Sequence, residues 1–169
     1  LVTVASPSDA MQENAAQLTA IMLRRCDRAA DLADLLTDPR FNALCLGPGL
    51  GVGDATREMV RAAIGGGCRV VLDADALTSF EDAPDRLFDA IGTGTDTSVV
   101  LTPHAGEFAR LFPDVAARWQ GADEKAEARR ISKIEAVREA ASRSGSIVLL
   151  KGPDTFIATP ACEVTINSA

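Results

Sequence analysis

Apolar and polar residues fall along this chain in blocks. Seven short runs of aliphatic and β-branched residues read as strands: LVTVAS at 1–6, NALCLG at 42–47, RVVLDAD at 69–75, SVVLTP at 98–103, IVLLKG at 147–152, TFIATP at 155–160 and EVTINS at 163–168. Between them, apolar residues recur at helical spacing. The pattern predicts a helix over 9–25, with Leu18, Ile21 and Met22 on one stripe, and another over 54–64, with Thr56, Met59, Val60 and Ala63. A short helix runs from Pro84 to Ile91 with proline in its first turn. A further helix opens at Gly106 and reaches Phe112, and the longest spans Glu124 to Arg143, with Ile131, Ile134, Val137 and Ala141 inward. Residues 113–123 read as an irregular surface insertion. Continuously apolar strands imply burial on both faces, the habit of parallel strands covered by helices. Strands alternating with helices imply a layered α/β fold with a mostly parallel sheet. The last two runs look like a closing hairpin.

Composition narrows the partners. A chain of 169 residues fits one domain, and 47% hydrophobic with 24% charged residues describes a globular chain. A net charge of −7, with basic residues mostly scattered among acids, argues against nucleic acid as a main partner, since a phosphate backbone needs a basic face. The local cluster Arg129, Arg130 and Lys133 sits among Glu124, Glu127 and Glu135 and reads as a solvated helix face. No apolar run has the length of about 18 residues a membrane span needs, and no signal peptide is visible. The four cysteines match no zinc or redox spacing; Cys45 and Cys68 lie in or beside apolar runs, as small hydrophobes would. A reducing, cytoplasmic setting is expected. The chain opens directly with a strand at Leu1 and stops at Ala169 just after another, so it is expected to be a piece truncated at both ends.

Candidate chemistry gathers where strands end. The endings are GPGLGVGD, DADAL, TPHAGE and KGPDT. In an open parallel sheet the carboxyl ends share one edge, where ligands bind, so Gly49, Asp73, His104 and Lys151 should line one edge. The glycine-rich segment is either a turn or a loop whose N–H groups cradle an anion. It is neither a dinucleotide fingerprint, since the sixth position from Gly47 is Val52 and from Gly49 is Asp54, nor a Walker loop. Asp73 and Asp75 either cap the following segment or face the cleft. His104, the single histidine, either caps a turn or contacts a ligand. Glu107 falls in a first helical turn, where any acid is favoured. Lys151, one of three lysines, leaves an apolar strand beside Gly152 and suits a phosphate, with Thr155 and the backbone of 152–154 as further donors; a plain GPD turn is the alternative.

Four segments together resemble the ADP/ATP-dependent NAD(P)H-hydrate dehydratases of the ribokinase-like superfamily: GPGLG at 47–51, LDADAL at 72–77, LTPHAGEFARL at 101–111 and LLKGPDTFIA at 149–158. LVTVASP and NAAQLTAIM add weaker likeness. The resemblance implies a three-layer α/β/α ribokinase-like fold. It implies repair of hydrated NADH or NADPH: the ring hydroxyl is phosphorylated at the expense of ADP or ATP, phosphate leaves, and the double bond returns. It assigns Gly51 and His104 to the hydrated dinucleotide. Lys151, Gly152, Pro153, Asp154 and Thr155 fall to the nucleotide phosphates. Gly49, Asp73 and Glu107 fall to the cleft lining, with Glu107 an indirect contributor to Mg2+. The family's general base is an aspartate in a later glycine-rich motif, expected beyond Ala169. No catalytic residue is therefore expected in this chain, and the fragment alone should be inactive. Small-molecule partners, hydrated NADH or NADPH and ADP or ATP, are implied, and a homo-oligomer is expected. A vitamin-precursor kinase on the same fold and a non-catalytic nucleotide-binding module remain alternatives.

Overall fold

The structure, a computed structural model, describes residues 2–94, 98–121 and 129–168. Its strands are β1 (Thr3–Ser6), β2 (Met22–Arg25), β3 (Ala43–Leu46), β4 (Arg69–Leu72), β5 (Val99–Leu101), β6 (Ile147–Leu150), β7 (Asp154–Ala158) and β8 (Val164–Ser168). The helices are α1 (Met11–Gln17), α2 (Ala29–Leu36), α3 (Asp54–Gly65), α4 (Asp75–Thr78), α5 (Pro84–Thr93), α6 (Ala105–Leu111), α7 (Pro113–Gln120) and α8 (Lys133–Ser144). One sheet has six strands in the order β3-β4-β5-β6-β7-β8; β1 and β2 form a separate parallel pair. From β3 to β6 every pairing is parallel, and β7 and β8 close the sheet as an antiparallel hairpin, as the sequence predicts.

Register explains the core. Leu72 pairs with Leu101, and Leu101 with Val148. These residues are fully buried and share the core with Val60 and Ala63 of α3, Leu87 of α5, and Val137 and Ala141 of α8. The opposite face, with Val71, Val100 and Leu149, is only half buried, so the expectation of two fully covered faces holds for one. On β3 that face is open: Cys45 is exposed, contrary to its reading as a buried small hydrophobe, whereas Cys26 and Cys68 are buried. Burial pushes the Cys26 and Cys68 thiols up from their ordinary range. Outside the core, β1 and β3 each leave one edge unpaired among the described residues, and a cavity of about 720 Å³ lies between them, lined by Val4, Leu32, Leu36, Leu44 and Cys45.

Three helix readings need correction. The predicted helix over 9–25 stops at Gln17, where Leu18 turns extended, and Met22–Arg25 is strand β2. The apolar run from Leu18 to Leu23 satisfies either period, and pairing with β1 decides it. The predicted irregular insertion at 113–123 begins as helix α7, with proline at its first position and Val115 and Ala116 buried. The long helix predicted from Glu124 starts, in the described residues, at Lys133, because Ser132 caps it: its hydroxyl accepts from Glu135 N–H at 3.2 Å, and Glu135 returns a carboxylate to Ser132 N–H at 2.8 Å. Residues 122–128 lie outside the described residues, and Ile131 packs on the core from the preceding loop. Helix α2 was not predicted, although Leu32, Leu35 and Leu36 sit at helical spacing ahead of Pro39.

Candidate functional site at the strand ends

Backbone geometry ties the strand ends to one another. After β3 the chain turns through Gly47, Gly49, Gly51 and Gly53, all with positive φ. At Gly47 a Cβ would lie 1.8 Å from the Asp73 carbonyl oxygen, so glycine lets the loops after β3 and β4 touch. The 51 and 53 amides are not free to cradle an anion. Gly51 N–H donates to the Asp75 carboxylate at 2.9 Å, and Gly53 N–H donates to the Ser79 hydroxyl at 3.1 Å. Helix α4 and the Ser79 that follows it thus fix the glycine loop, and Asp75 serves this bridge. Gly49 has no neighbour within 4 Å of a built Cβ and opens on the cavity between β1 and β3.

At the next two strand ends, Lys151 N–H donates to the Pro103 carbonyl at 2.9 Å, joining the residue after β6 to the residue before His104. The Lys151 ammonium then reaches back across the sheet edge to Asp73, 2.7 Å away. Partial burial raises the Asp73 carboxyl, but the Lys151 hydrogen bond, with others from Thr102 and the Ala74 N–H, outweighs it and holds Asp73 below its ordinary value. Asp73, His104 and Lys151 therefore share one edge, as expected, with the glycine loop beside them. Lys151, read as a free phosphate ligand, has its charge engaged by Asp73.

His104 is the N-cap of α6. Its Nδ1 accepts from Gly106 N–H at 2.9 Å and Glu107 N–H at 3.2 Å, and Glu107 accepts from His104 N–H at 2.8 Å. This capping box settles the tautomer: an Nδ1 that accepts two amides carries no proton, so the neutral ring bears it on Nε2. That atom lies 3.5 Å from Glu107 Oε1, on a side chain 54% exposed. The cap and the ligand-contact readings thus use different ring nitrogens. Glu107 is buried with its carboxylate engaged in the box.

The turn after β6 carries Gly152, Pro153 and Asp154, all exposed, and Thr155, half-buried. Against it lies a residue that the charge pattern assigns to a solvated helix face. Lys133 is half-buried, and its ammonium donates to the Asp154 carbonyl at 2.9 Å. It also stands 4.3 Å from the centre of the Phe156 ring. Arg129 and Arg130 are exposed, as expected. With the helix predicted from Glu124, Lys133 falls mid-helix in the sequence reading, and only the observed start at Lys133 sets its cation against the helix dipole. Among the described residues no group of three or more His, Cys, Asp or Glu could hold a metal ion.

A mostly parallel α/β sheet with a glycine turn, an aspartate–lysine pair and a capping histidine at its strand ends defines an α/β protein of the open-sheet kind, in which strand ends are the place to look for a ligand. Comparison with known proteins makes the class specific. Residues 1–169 match the family model described as NAD(P)H-hydrate dehydratase, and the chain belongs to that family. It is similar to the bifunctional NAD(P)H-hydrate repair enzyme Nnr of Synechocystis sp., at 39% identity over 72% of this chain and 20% of that one. The Gloeobacter violaceus enzyme of the same name is 34% identical over 99% of this chain and 30% of its own. The fold matches the ADP/ATP-dependent NAD(P)H-hydrate dehydratase of Bacillus subtilis, co-crystallized with ATP and Mg2+, with a TM-score of 0.72 and 25% identity. That match covers 98% of this chain and 52% of the other. The chain therefore spans about half of the solved relative and less than a third of these curated ones. No helix among the described residues is long and apolar enough to cross a membrane.

Proposed function

We propose that this chain carries the hydrate- and nucleotide-contacting strand ends of an ADP- or ATP-dependent NAD(P)H-hydrate dehydratase. The observation that carries the reading is the convergence of Asp73, His104 and Lys151 at one sheet edge, tied by Lys151 N–H to Pro103 and by the Lys151–Asp73 pair. In this reading His104 offers its Nε2–H to a polar group of the hydrated nicotinamide, held in place by the amides on Nδ1. The glycine loop at 49–51 forms the neighbouring wall. The 151–155 turn takes the nucleotide phosphates, with Asp73 holding Lys151 at the turn's base. The base that accepts the hydroxyl proton is an aspartate outside residues 1–169.

Mg2+ would come with the phosphates, where it neutralises charge during phosphoryl transfer. The chain's described residues form no cage for it, and Glu107 is committed to the capping box, so any contribution from Glu107 is through water. Small molecules are the partners, and the free cysteines suit a reducing, cytoplasmic setting.

The test is to supply NADH hydrate, Mg2+ and ADP or ATP to a polypeptide that includes this chain and a family-length remainder, and to follow recovery of NADH absorbance. Nucleotide-dependent recovery supports the reading. A nucleotide-binding polypeptide that never regenerates NADH, and phosphorylates a vitamin precursor instead, would replace it with the kinase alternative.

A further inference from the structure

We infer that Lys133, at the start of α8, is the residue that holds the 152–154 turn in shape and supplies its positive charge toward a phosphate-bearing ligand. The inference rests on the reading of that turn as a nucleotide site and goes further, because it moves the working cation from Lys151 to a residue on another element.

Lys151 is engaged: its ammonium lies 2.7 Å from the Asp73 carboxylate, so the pair presents little net charge to the turn. Lys133 stands differently. It donates one N–H to the Asp154 carbonyl at 2.9 Å, and no carboxylate pairs with it among the described residues. An ammonium has three donors, so this bond leaves others for a ligand. A Cβ built on Gly152 would lie 3.1 Å from Lys133 Nζ, which places the charge directly against the turn's first residue. The ammonium also lies 4.3 Å from the Phe156 ring centre and 5.8 Å from that of Trp119. Two aromatic faces attract the cation and displace water around it. They also keep the side chain from wandering, so the rotamer freedom a phosphate-binding lysine would otherwise lose is already reduced.

Local preference makes the placement informative. A cation at the first helical position opposes the helix dipole, while the Ser132–Glu135 box already satisfies the helix start without it. Lys133 adds nothing to the helix there. Among the described residues its ammonium contacts lie on Trp119, on the turn and on β7, the strand that leaves it. Local rules broken without local compensation mark positions selected for something else.

The probes are ADP and adenosine, which differ in phosphate alone, titrated against the wild-type chain and its Lys133→Met and Lys133→Arg variants. Trp119, the single tryptophan and within reach of the ammonium, reports binding by fluorescence. Amide hydrogen exchange at Gly152, Asp154 and Thr155 reports the turn without any ligand. Lys133→Met should weaken ADP about tenfold or more, the scale of one charged hydrogen bond, and leave adenosine unchanged. Lys133→Arg should restore most of the loss, and the turn should exchange faster only in the methionine variant. Equal ADP affinity in wild type and Lys133→Met, with an unchanged turn, overturns the inference. Should wild type bind no ADP, the nucleotide reading of the turn fails. Exchange at these three amides then decides the positioning role alone, unchanged protection in Lys133→Met refuting it.

Discussion

Replacing Gly47 with alanine should unfold the strand-end architecture from its centre. Gly47 has φ +141°, and an added Cβ would lie 1.8 Å from the Asp73 carbonyl oxygen and 2.7 Å from its carbon. Both are backbone atoms, so no rotamer relieves the clash, and the chain after β4 must move. Asp73 is held there by two hydrogen bonds: its N–H donates to Leu46 at 3.1 Å, and its carbonyl accepts from Ala76 at 3.1 Å. Backbone strain of this kind costs about 1–3 kcal/mol. Weakening the two hydrogen bonds adds about 1 kcal/mol each. The sum is roughly 3–5 kcal/mol, or a fall in Tm on the order of 10 °C for a chain of this size. Gly49→Ala is the matched control, since its φ of +72° is also positive but nothing lies within 4 Å of the new Cβ. That variant should lose only about 1–2 kcal/mol. Urea unfolding followed by circular dichroism measures both. If Gly47→Ala lost no more stability than Gly49→Ala, the contact between the loops after β3 and β4 would not exist in solution.

Further outcomes follow from the same geometry. Asp73 is held below its ordinary value of 3.8 in the folded chain, so its contribution is present above that pH and lost as acid takes it through the lowered value; Asp73→Asn should flatten the acid end of the stability curve, and an unchanged curve would show that the pair with Lys151 does not form. Cys45 and Cys162 are exposed and Cys26 and Cys68 buried, so a thiol reagent should modify two groups quickly and two only on unfolding; rapid modification of all four would refute this packing. His104→Asn should keep the α6 cap and His104→Ala should lose about 1 kcal/mol of it, while both weaken the hydrate more than ADP; equal hydrate affinity in the asparagine variant would remove Nε2 from the site. The chain of residues 1–169 alone should regenerate no NADH, and turnover near that of a family-length polypeptide would place the general base inside it.

The candidate site was legible because its residues are of unusual type at a repeated location. Glycine, aspartate, histidine and lysine at successive strand ends identified the edge, and the register from β3 to β6 places three of them together. What those side chains do to one another was not legible. No spacing rule couples Lys151 to Asp73, or Gly51 to Asp75, because both contacts cross between strands. Lys133 was lost for the same reason: its neighbours at 119 and 156 belong to other elements. In the fold, the errors cluster where a pattern has two readings. Leu18–Leu23 suits helix or strand, and Pro113 marks a helix start as readily as a break. The unpaired edges of β1 and β3 had no sequence signature, since ALCL is as apolar as the covered strands.

Where the two ligands bind is the most direct test. Amide spectra of the isotope-labelled chain, titrated first with ADP and Mg2+ and then with NADH hydrate, read this residue by residue. The nucleotide should shift Gly152, Asp154 and Thr155, and the hydrate should shift Gly51, His104 and Gly106. Shifts confined to the cavity around Val4, Leu32 and Leu44, with the strand ends silent, would contradict the assignment of this edge as the functional site.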